Sequence, residues 1–135
     1  MDLRSSVDIS ASGLRAQSLR MRVIAENLAN ADSVGQTPGS DPYRRKVVTF
    51  EPDLGGQDAS QGVRVRDVIA DRSAFQRVYQ PGNPAADEQG YVKMPNVNSL
   101  IETADMRAAQ RSYEANVNAI EAARSMTMRT IDLLK

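Results

Sequence analysis

Residues 7–28 read VDISASGLRAQSLRMRVIAENL, and in this stretch an apolar side chain returns at every seventh position. The repeat consists of Val7, Leu14, Met21 and Leu28, with Leu3, Ala11, Ile24 and Ala25 at the adjacent positions. A seven-residue repeat places these side chains on one narrow face of an α-helix, and the charged residues lie mostly off that face. The pattern predicts a helix from about residue 5 to about residue 29, roughly 40 Å long at about 1.5 Å per residue.

The last segment of the chain carries two apolar lines. The first line consists of Met106, Ala109, Tyr113, Val117, Ile120, Ala123, Thr127, Ile131 and Leu134. The second line is richer in alanine and consists of Leu100, Ala104, Ala108, Ala115, Ala122, Met126 and Leu133. Because small side chains let helices approach closely, a helix with two apolar sides can pack against one partner inside the chain and another outside it. The segment predicts a C-terminal helix over residues 100–135.

Proline and glycine divide the chain into three regions. All six prolines and seven of the eight glycines lie between residues 31 and 99, and only Gly13 lies outside. Since proline breaks helix interiors and glycine weakens them, both ends are free to be helical while the middle is rich in turns. We therefore expect an N-terminal helix within residues 1–30, an extended stretch with a small β-rich module over 31–99, and the C-terminal helix over 100–135.

Three runs in the middle region have the alternation and β-branched content of strands, namely residues 45–50, 62–68 and 74–79. A connection rich in glycine and glutamine at 54–62 and a turn cluster at 80–84 separate them. The predicted fold is mainly α with a small β-rich middle. Two long terminal helices form an antiparallel coiled-coil-like pair, joined by an extended stretch and a short β-hairpin module. Periodicity alone leaves open whether these helices only bury each other within one monomer or also pack against other copies.

The composition excludes most kinds of active site. Among 135 residues there is no histidine and no cysteine, which removes the commonest general base, the commonest metal ligand and the thiolate nucleophile. Seventeen basic residues balance seventeen acidic ones, so no net field attracts nucleic acid or an acidic membrane. We expect no catalytic residue, no cofactor, no metal, no nucleic acid and no small-molecule substrate.

The remaining charged groups are interpreted as solvated side chains. Asp67 and Asp71 are assigned to turns rather than to an acid–base pair. Glu102 and Asp105 are interpreted as exposed charges in the first turn of the C-terminal helix. The run at 44–46 is interpreted as an exposed β-edge whose charges prevent mispairing.

The chain start lacks the basic segment and apolar run of a cleavable secretory signal, and no stretch approaches the roughly 18 to 20 consecutive apolar residues of a spanning helix.

One stretch is not explained by periodicity: residues 25–32 read AENLANAD, and PYRRK follows at 42–46. The first part closely resembles the Asn-Leu-Ala-Asn-Ala motif of the flagellar rod, hook and hook–filament axial proteins. Further segments similar to the proximal-rod branch of that family are GNPAAD at 82–87, GYV at 90–92, PNVN at 95–98 and RSYEAN at 111–116. The resemblance covers nearly the whole chain apart from residues 54–62. The matching residues are Asn27, Leu28, Ala29, Asn30, Ala31, Tyr43, Asn83, Pro84, Gly90, Tyr91, Pro95, Asn96, Asn98, Ser112, Tyr113, Glu114 and Asn116.

The resemblance implies a structural, non-enzymatic subunit of the bacterial flagellar basal-body rod. Such a subunit polymerises through its terminal helices into the drive shaft that transmits motor torque across the periplasm. Export through the flagellar type III apparatus, without a cleaved signal peptide, is implied as well. The implied partners are further copies in a helical assembly, the rod subunits FlgB, FlgF and FlgG, and the rod adaptor FliE.

The apolar faces of the two helices are expected to form the assembly interface. Its residues are Leu3, Val7, Leu14, Met21, Ile24, Leu28, Met106, Tyr113, Val117, Ile120, Ile131 and Leu134. Two other classes of function are weighed against this one. An enzyme requires a competent acid, base or metal site, and no histidine or cysteine is available to supply one. A coiled-coil adaptor for a partner helix would already be fully helical at its ends when isolated.

Overall fold

The computed structural model describes residues 2–54 and 61–135. Its elements in chain order are helix α1 (Leu3–Ala29), strands β1 (Lys46–Asp53), β2 (Gly62–Ala70), β3 (Gln76–Tyr79) and β4 (Tyr91–Met94), and helix α2 (Ser99–Leu133). Two long terminal helices with a small β middle confirm the predicted fold class. The predicted connection at 54–62 falls largely on residues 55–60, which lie outside the described part of the chain.

Side-chain caps explain where the helices begin and end. The Asp2 carboxylate accepts a hydrogen bond from the Ser5 amide at 2.7 Å, and this bond lowers the pKa of Asp2. At the far end of α1, the Asn30 amide group donates to the Glu26 carbonyl at 2.9 Å. Asn98 precedes α2, and its Oδ1 accepts from the amides of Leu100 at 3.1 Å and Ile101 at 3.4 Å. Asparagine therefore marks the end of one helix and the start of the other.

The strands form two separate two-stranded sheets, β1 with β2 and β3 with β4. The second sheet is antiparallel, with Gln76 opposite Met94 and Tyr79 opposite Tyr91. Strands β1, β2 and β3 lie within or close to the runs that alternation predicted. Strand β4 was not among the runs predicted from alternation.

The described residues form two compact units. Unit 1 contains the described residues of 1–21, 48–67 and 107–135, and unit 2 contains residues 22–47 and 68–106. Each terminal helix therefore contributes one part to unit 1 and another to unit 2.

Unit 1 is held together by close approaches between small residues. A Cβ atom added to Gly13 of α1 would lie 2.7 Å from Nδ2 of Asn116 on α2. Ser12 donates to the Ile9 carbonyl at 2.6 Å, and its hydroxyl accepts from the amide of Val63 at 3.0 Å. The small side chains on this face of α1 let both α2 and strand β2 come within contact distance.

Unit 2 buries larger side chains. Val23 and Ile24 of α1 and Val92 of β4 are buried, together with the polar side chains of Asn27 and Glu102. Asn27 on α1 meets Glu102 on α2 in this unit, as Gly13 meets Asn116 in unit 1.

Candidate functional site

The Asn27 side chain, 1% exposed, lies at the centre of a buried polar cluster in unit 2. Its Nδ2 donates to the Lys46 carbonyl at 2.9 Å and to Oε2 of Glu102 at 3.3 Å. Its Oδ1 accepts from the Lys46 amide at 3.0 Å and from the Tyr43 hydroxyl at 2.8 Å. All four hydrogen-bonding positions of the carboxamide are used, so this residue fixes the start of β1 against both helices.

Glu102 is fully buried, and Arg45 supplies the positive charge beside it. The Arg45 Nε donates to Oε1 of Glu102, while its other nitrogens pair with Oδ2 of Asp71 at 3.1 Å and Oδ2 of Asp105 at 3.7 Å. Burial alone would lower the pKa of Arg45, but the hydrogen bonds and charges of Glu102 and Asp71 raise it overall. Because an unpaired buried carboxylate is costly, this pair holds the residue directly before β1 to α2.

Asp71 and Asn96 extend the cluster to the segments that flank β3 and β4. The Asp71 carboxylate accepts from the Ser73 amide at 2.9 Å, and this bond, together with Arg45, lowers the pKa of Asp71. Asn96 accepts from the Arg45 amide at 2.7 Å and donates to the Asp71 carbonyl at 2.9 Å. Residues 45, 71 and 96, which are far apart in sequence, are thereby joined by hydrogen bonds in one cluster.

Other members of the cluster lie nearer to solvent. Burial raises the pKa of the Tyr43 hydroxyl. Lys46 pairs with Glu26 at 2.6 Å, and this hydrogen bond raises the pKa of Lys46. The Arg44 guanidinium lies 4.2 Å from the centre of the Phe75 ring, at cation–π distance.

The cluster corrects part of the sequence interpretation. Glu102 was predicted to be an exposed first-turn charge and Arg45 part of an exposed β-edge, and both predictions are wrong, because the two side chains form an ion pair inside unit 2. Asp71 was interpreted as a solvated turn carboxylate, whereas it pairs with Arg45. The partners are separated by 57 and 26 residues, so no local pattern reveals them.

The residues of the family motif differ in their surroundings in the structure. Asn27, Tyr43 and Asn96 meet in the cluster, whereas Asn30 and Asn98 cap helix ends. Pro95 and Gly90 are buried, Leu28, Ala31, Asn83, Ser112 and Asn116 are half-buried, and Ala29, Pro84, Tyr91, Tyr113 and Glu114 are exposed. The structure thus brings some motif residues together and leaves others apart.

The turn between β3 and β4 explains three further motif residues. Oδ1 of Asn83 accepts from the Ala85 amide at 2.9 Å, which closes a local turn. Gly90 has φ of 86°, and a Cβ there would lie 2.8 Å from the ring of Tyr79. Tyr91 packs edge-on against that ring at 5.4 Å. Position 90 therefore requires glycine, both for its backbone conformation and because a side chain would clash with the Tyr79 ring.

The residues expected to form the assembly interface differ in exposure. Ile24 is buried inside unit 2, whereas Val7, Leu14, Met21, Leu28, Met106, Val117 and Ile120 are half-buried. The exposed ones are Leu3, Tyr113, Ile131 and Leu134, and Ile131 and Leu134 are 47% and 83% exposed. Large apolar side chains of α2 outside the expected set are also exposed, namely Leu100, Ile101, Met126, Met128 and Leu133.

The fully buried positions of α2 are not those of its large apolar side chains. They are Glu102, Ala109 and Ala123, and the spacings between them are multiples of seven residues. Asn116 continues this series and lies against Gly13. Small and polar residues thus form this side of α2, and its larger apolar residues are left half-buried or exposed.

In the described residues, neither helix is both long enough and apolar enough to cross a membrane. The part of the chain that the structure covers also contains no group of three or more acidic side chains placed to hold a metal ion.

Comparison with known proteins gives matches at both ends and over the full length. The family described as "Flagella basal body rod protein" matches residues 8–35, and the one described as "Flagellar basal body rod FlgEFG protein C-terminal" matches residues 88–133. The first match spans most of α1 together with its motif, and the second spans β4 and the whole of α2.

Three relatives that carry the name flagellar basal-body rod protein FlgC illustrate the full-length similarity. The relative from Agrobacterium fabrum (strain C58) is 53% identical over 98% of this chain and 96% of its own length. That from Salmonella typhimurium (strain LT2) is 46% identical over 98% of both chains. The relative from Borreliella burgdorferi is 37% identical over 100% of this chain and 99% of its own.

Proposed function

Because this chain belongs to the FlgC family of flagellar basal-body rod proteins, we propose that it polymerises into the rod through the outward apolar side chains of α1 and α2. Its role is that of a structural rod subunit, and its location is the flagellar basal body, where it assembles with other basal-body components.

The observation that carries this proposal is the apolar surface of α2. Beyond Ala123 every residue of α2 is exposed, including Met126, Met128 and Ile131. Exposed apolar area of this kind favours contact with another protein surface. When one patch meets a different patch on the next copy, the contact does not close on itself and repeats into a helical filament.

Finer parts of the proposal follow from the family. The subunit transmits motor torque as part of the drive shaft across the periplasm, and reaches that location through the flagellar type III export apparatus without a cleaved signal. Its neighbours are further copies, FlgB, FlgF, FlgG and the adaptor FliE. No catalysis is assigned to it, which is supported by the lack of histidine and cysteine.

In this proposal the three regions of the chain have different roles. The helices within 1–30 and 100–135 carry the interface through Leu3, Val7, Leu14, Met21, Leu28, Met106, Tyr113, Val117, Ile120, Ile131 and Leu134, and the middle region 31–99 sets their mutual position. Ile24 contributes to the proposal indirectly, since it is buried within unit 2.

The proposal is tested by placing a charge on the exposed face of α2. Ile131 lies beyond Ala123, the last buried residue of α2, and is 47% exposed, so the Ile131→Asp variant should disturb the packing within the subunit little. It puts a carboxylate into the proposed subunit contact, where burial without a partner costs several kcal/mol. The variant is expressed in a strain that lacks the native gene, and rods are counted in purified basal bodies. Asn118→Asp, at another exposed position of α2, is the matched control. We expect rods with the control and none with Ile131→Asp, and normal rods with Ile131→Asp would contradict the proposal.

A further inference from the structure

Unit 1 has an open groove between α1 and strand β2. Its volume is about 210 Å³, and every residue that lines it belongs to unit 1. Ala16 is buried at this groove, whereas Leu19, Val63 and Val65 line it as half-buried apolar side chains. None of these four residues belongs to the seven-residue repeat of α1 or to the interface that the sequence predicts. The groove is therefore an apolar surface that the proposed interface does not yet include.

Charged side chains also line the groove. Arg64 of β2 pairs with Glu51 at 2.6 Å, and Asp53 lies at the groove as well. Arg15 of α1 is exposed and has no ion-pair partner among the described residues. An exposed guanidinium beside an apolar surface can pair with a carboxylate that an incoming segment carries. The groove thus suits an apolar segment with an acidic side chain at its edge.

The end of α2 has this pattern. Met128, Ile131 and Leu134 follow at intervals of three residues, so they share one side of the helix, and all three are exposed. The Leu134 amide donates to the Ile131 carbonyl at 3.1 Å, which continues the last turn. Asp132 borders this row, and its only ion pair is an exposed one with Lys135 at 4.0 Å, which is weak. We call Met128, Ile131, Asp132 and Leu134 the α2 tip.

The α2 tip does not fill the groove of its own chain. Every residue of α2 beyond Ala123 is exposed, and none of them lines the groove. The tip and the groove are two different patches of one molecule. Because a contact between different patches does not close on itself, a tip that enters the groove of the next copy leaves its own groove open for another. Such a contact extends an assembly, as the helical rod of the proposed function requires.

We propose that the groove between α1 and β2 is the docking site for the α2 tip of a second copy of this chain. Ile131 and Leu134 enter the groove beside Leu19. Asp132 pairs with Arg15. The occupant is assigned by the apolar row that the chain leaves exposed and by the opposite charges of Asp132 and Arg15. The inference rests on the proposed assembly through the helices and names the surface that receives one helix end.

Cross-linking tests the contact without interference from native thiols of this chain, because it has no cysteine. Leu19→Cys and Leu134→Cys are combined in one chain and expressed in a strain that lacks the native gene, and purified basal bodies are treated with a short bismaleimide. We expect covalent products of two or more copies from the double variant and none from either single variant. Leu19→Cys with Asn118→Cys, at an exposed position elsewhere on α2, is the matched control and should give none.

A second cysteine pair, Val65→Cys with Ile131→Cys, replaces the first if the first does not form rods. Intact rods that give no product from the cysteine pair would overturn the docking. Products from Leu19→Cys alone, whether with another copy or with a different rod subunit, would overturn it too, because they would show a different occupant of the groove.

An exchange of charges tests the polar part of the contact. Arg15→Asp and Asp132→Arg should each reduce the number of rods per cell about tenfold, because each places like charges opposite one another. The double variant Arg15→Asp/Asp132→Arg restores opposite charges and should regain most of the rods. Arg72→Asp, at an exposed position between β2 and β3, is the matched control and should change the number little. A double variant with no more rods than either single variant would refute the pairing.

The outcomes separate the docking from the proposed function. Loss of rods in Ile131→Asp, together with intact cysteine-pair rods that give no cross-linked product, would reject the docking alone. Normal rods in Ile131→Asp would reject the proposed function and the docking with it.

Discussion

Gly13 of α1 lies so close to Asn116 of α2 that a Cβ atom at residue 13 would stand 2.7 Å from the side-chain nitrogen of Asn116. That side chain is held in place by a hydrogen bond from its Nδ2 to the Ser112 carbonyl at 2.9 Å. An added methyl group therefore forces Asn116 to move or the helices to separate.

Gly13→Ala should weaken the contact between the helices although alanine is the better helix former. Overpacking costs about 1–3 kcal/mol, whereas the gain in helix propensity is about 1 kcal/mol. The measurement is the yield of intact rods when the variant is the only copy of the subunit in the cell. Adding Asn116→Ala in the same chain makes room for the methyl group and should restore the yield. A Gly13→Ala strain with full rod yield would show that Asn116 moves without cost.

Asn27→Asp should destabilise unit 2, because the new carboxylate cannot donate to Glu102 and lies 3.3 Å from it. A lost buried hydrogen bond together with a buried like-charge contact corresponds to about 3 kcal/mol or more. Urea unfolding of the purified subunit measures the loss. Asn118→Asp makes the same chemical change at an exposed position and should alter stability little. Equal midpoints for the two variants would mean that the cluster does not stabilise the subunit.

Leu14→Asp and Leu28→Asp each place a charge in the seven-residue repeat of α1, on half-buried positions. A carboxylate that becomes buried against a neighbouring subunit costs several kcal/mol, so both variants should abolish rod assembly and motility. Swimming in soft agar is the measurement, and Ser18→Asp, on an exposed position of α1, serves as the control. Normal swimming of both leucine variants would exclude this face from the interface.

The pKa of Asp71 is lowered in the folded chain by the Ser73 amide and by Arg45, from an ordinary value of 3.8. A lowered folded pKa gives stability that is present above the unfolded pKa and is lost as the pH falls through the folded one. Unfolding midpoints in urea should therefore decline below about pH 4. In Asp71→Asn that decline should be shallower, although stability near neutral pH is lower. An identical acid-side slope in both proteins would show that Asp71 does not contribute to the pH dependence.

Local signals explain why the helices were predictable. The absence of proline and the seven-residue apolar repeat determine α1, and the motif asparagines were recognised by their resemblance alone. What the repeat does not reveal is which side of the helix is buried. Gly13 and Ala16 are buried because small residues permit close approach, whereas Leu14 stays half-buried beside them.

Long-range pairing explains what the sequence did not predict. Arg45 and Glu102 each look like ordinary surface charges in their own segments, and only the folded chain brings them together. Strand β4 is four residues long and is defined by its register with β3, not by its own alternation. Since both features depend on partners elsewhere in the chain, a single sequence carries no local sign of them.

The most direct measurement is a structure of the assembled rod in which the side chains of this subunit are resolved. If assembly occurs through the terminal helices, then Leu3, Ile131 and Leu134, exposed in the isolated chain, will be buried against α1 or α2 of adjacent subunits. A rod in which these three side chains remain exposed, and in which neighbouring subunits meet only through β1 to β4, would contradict assembly through the helices.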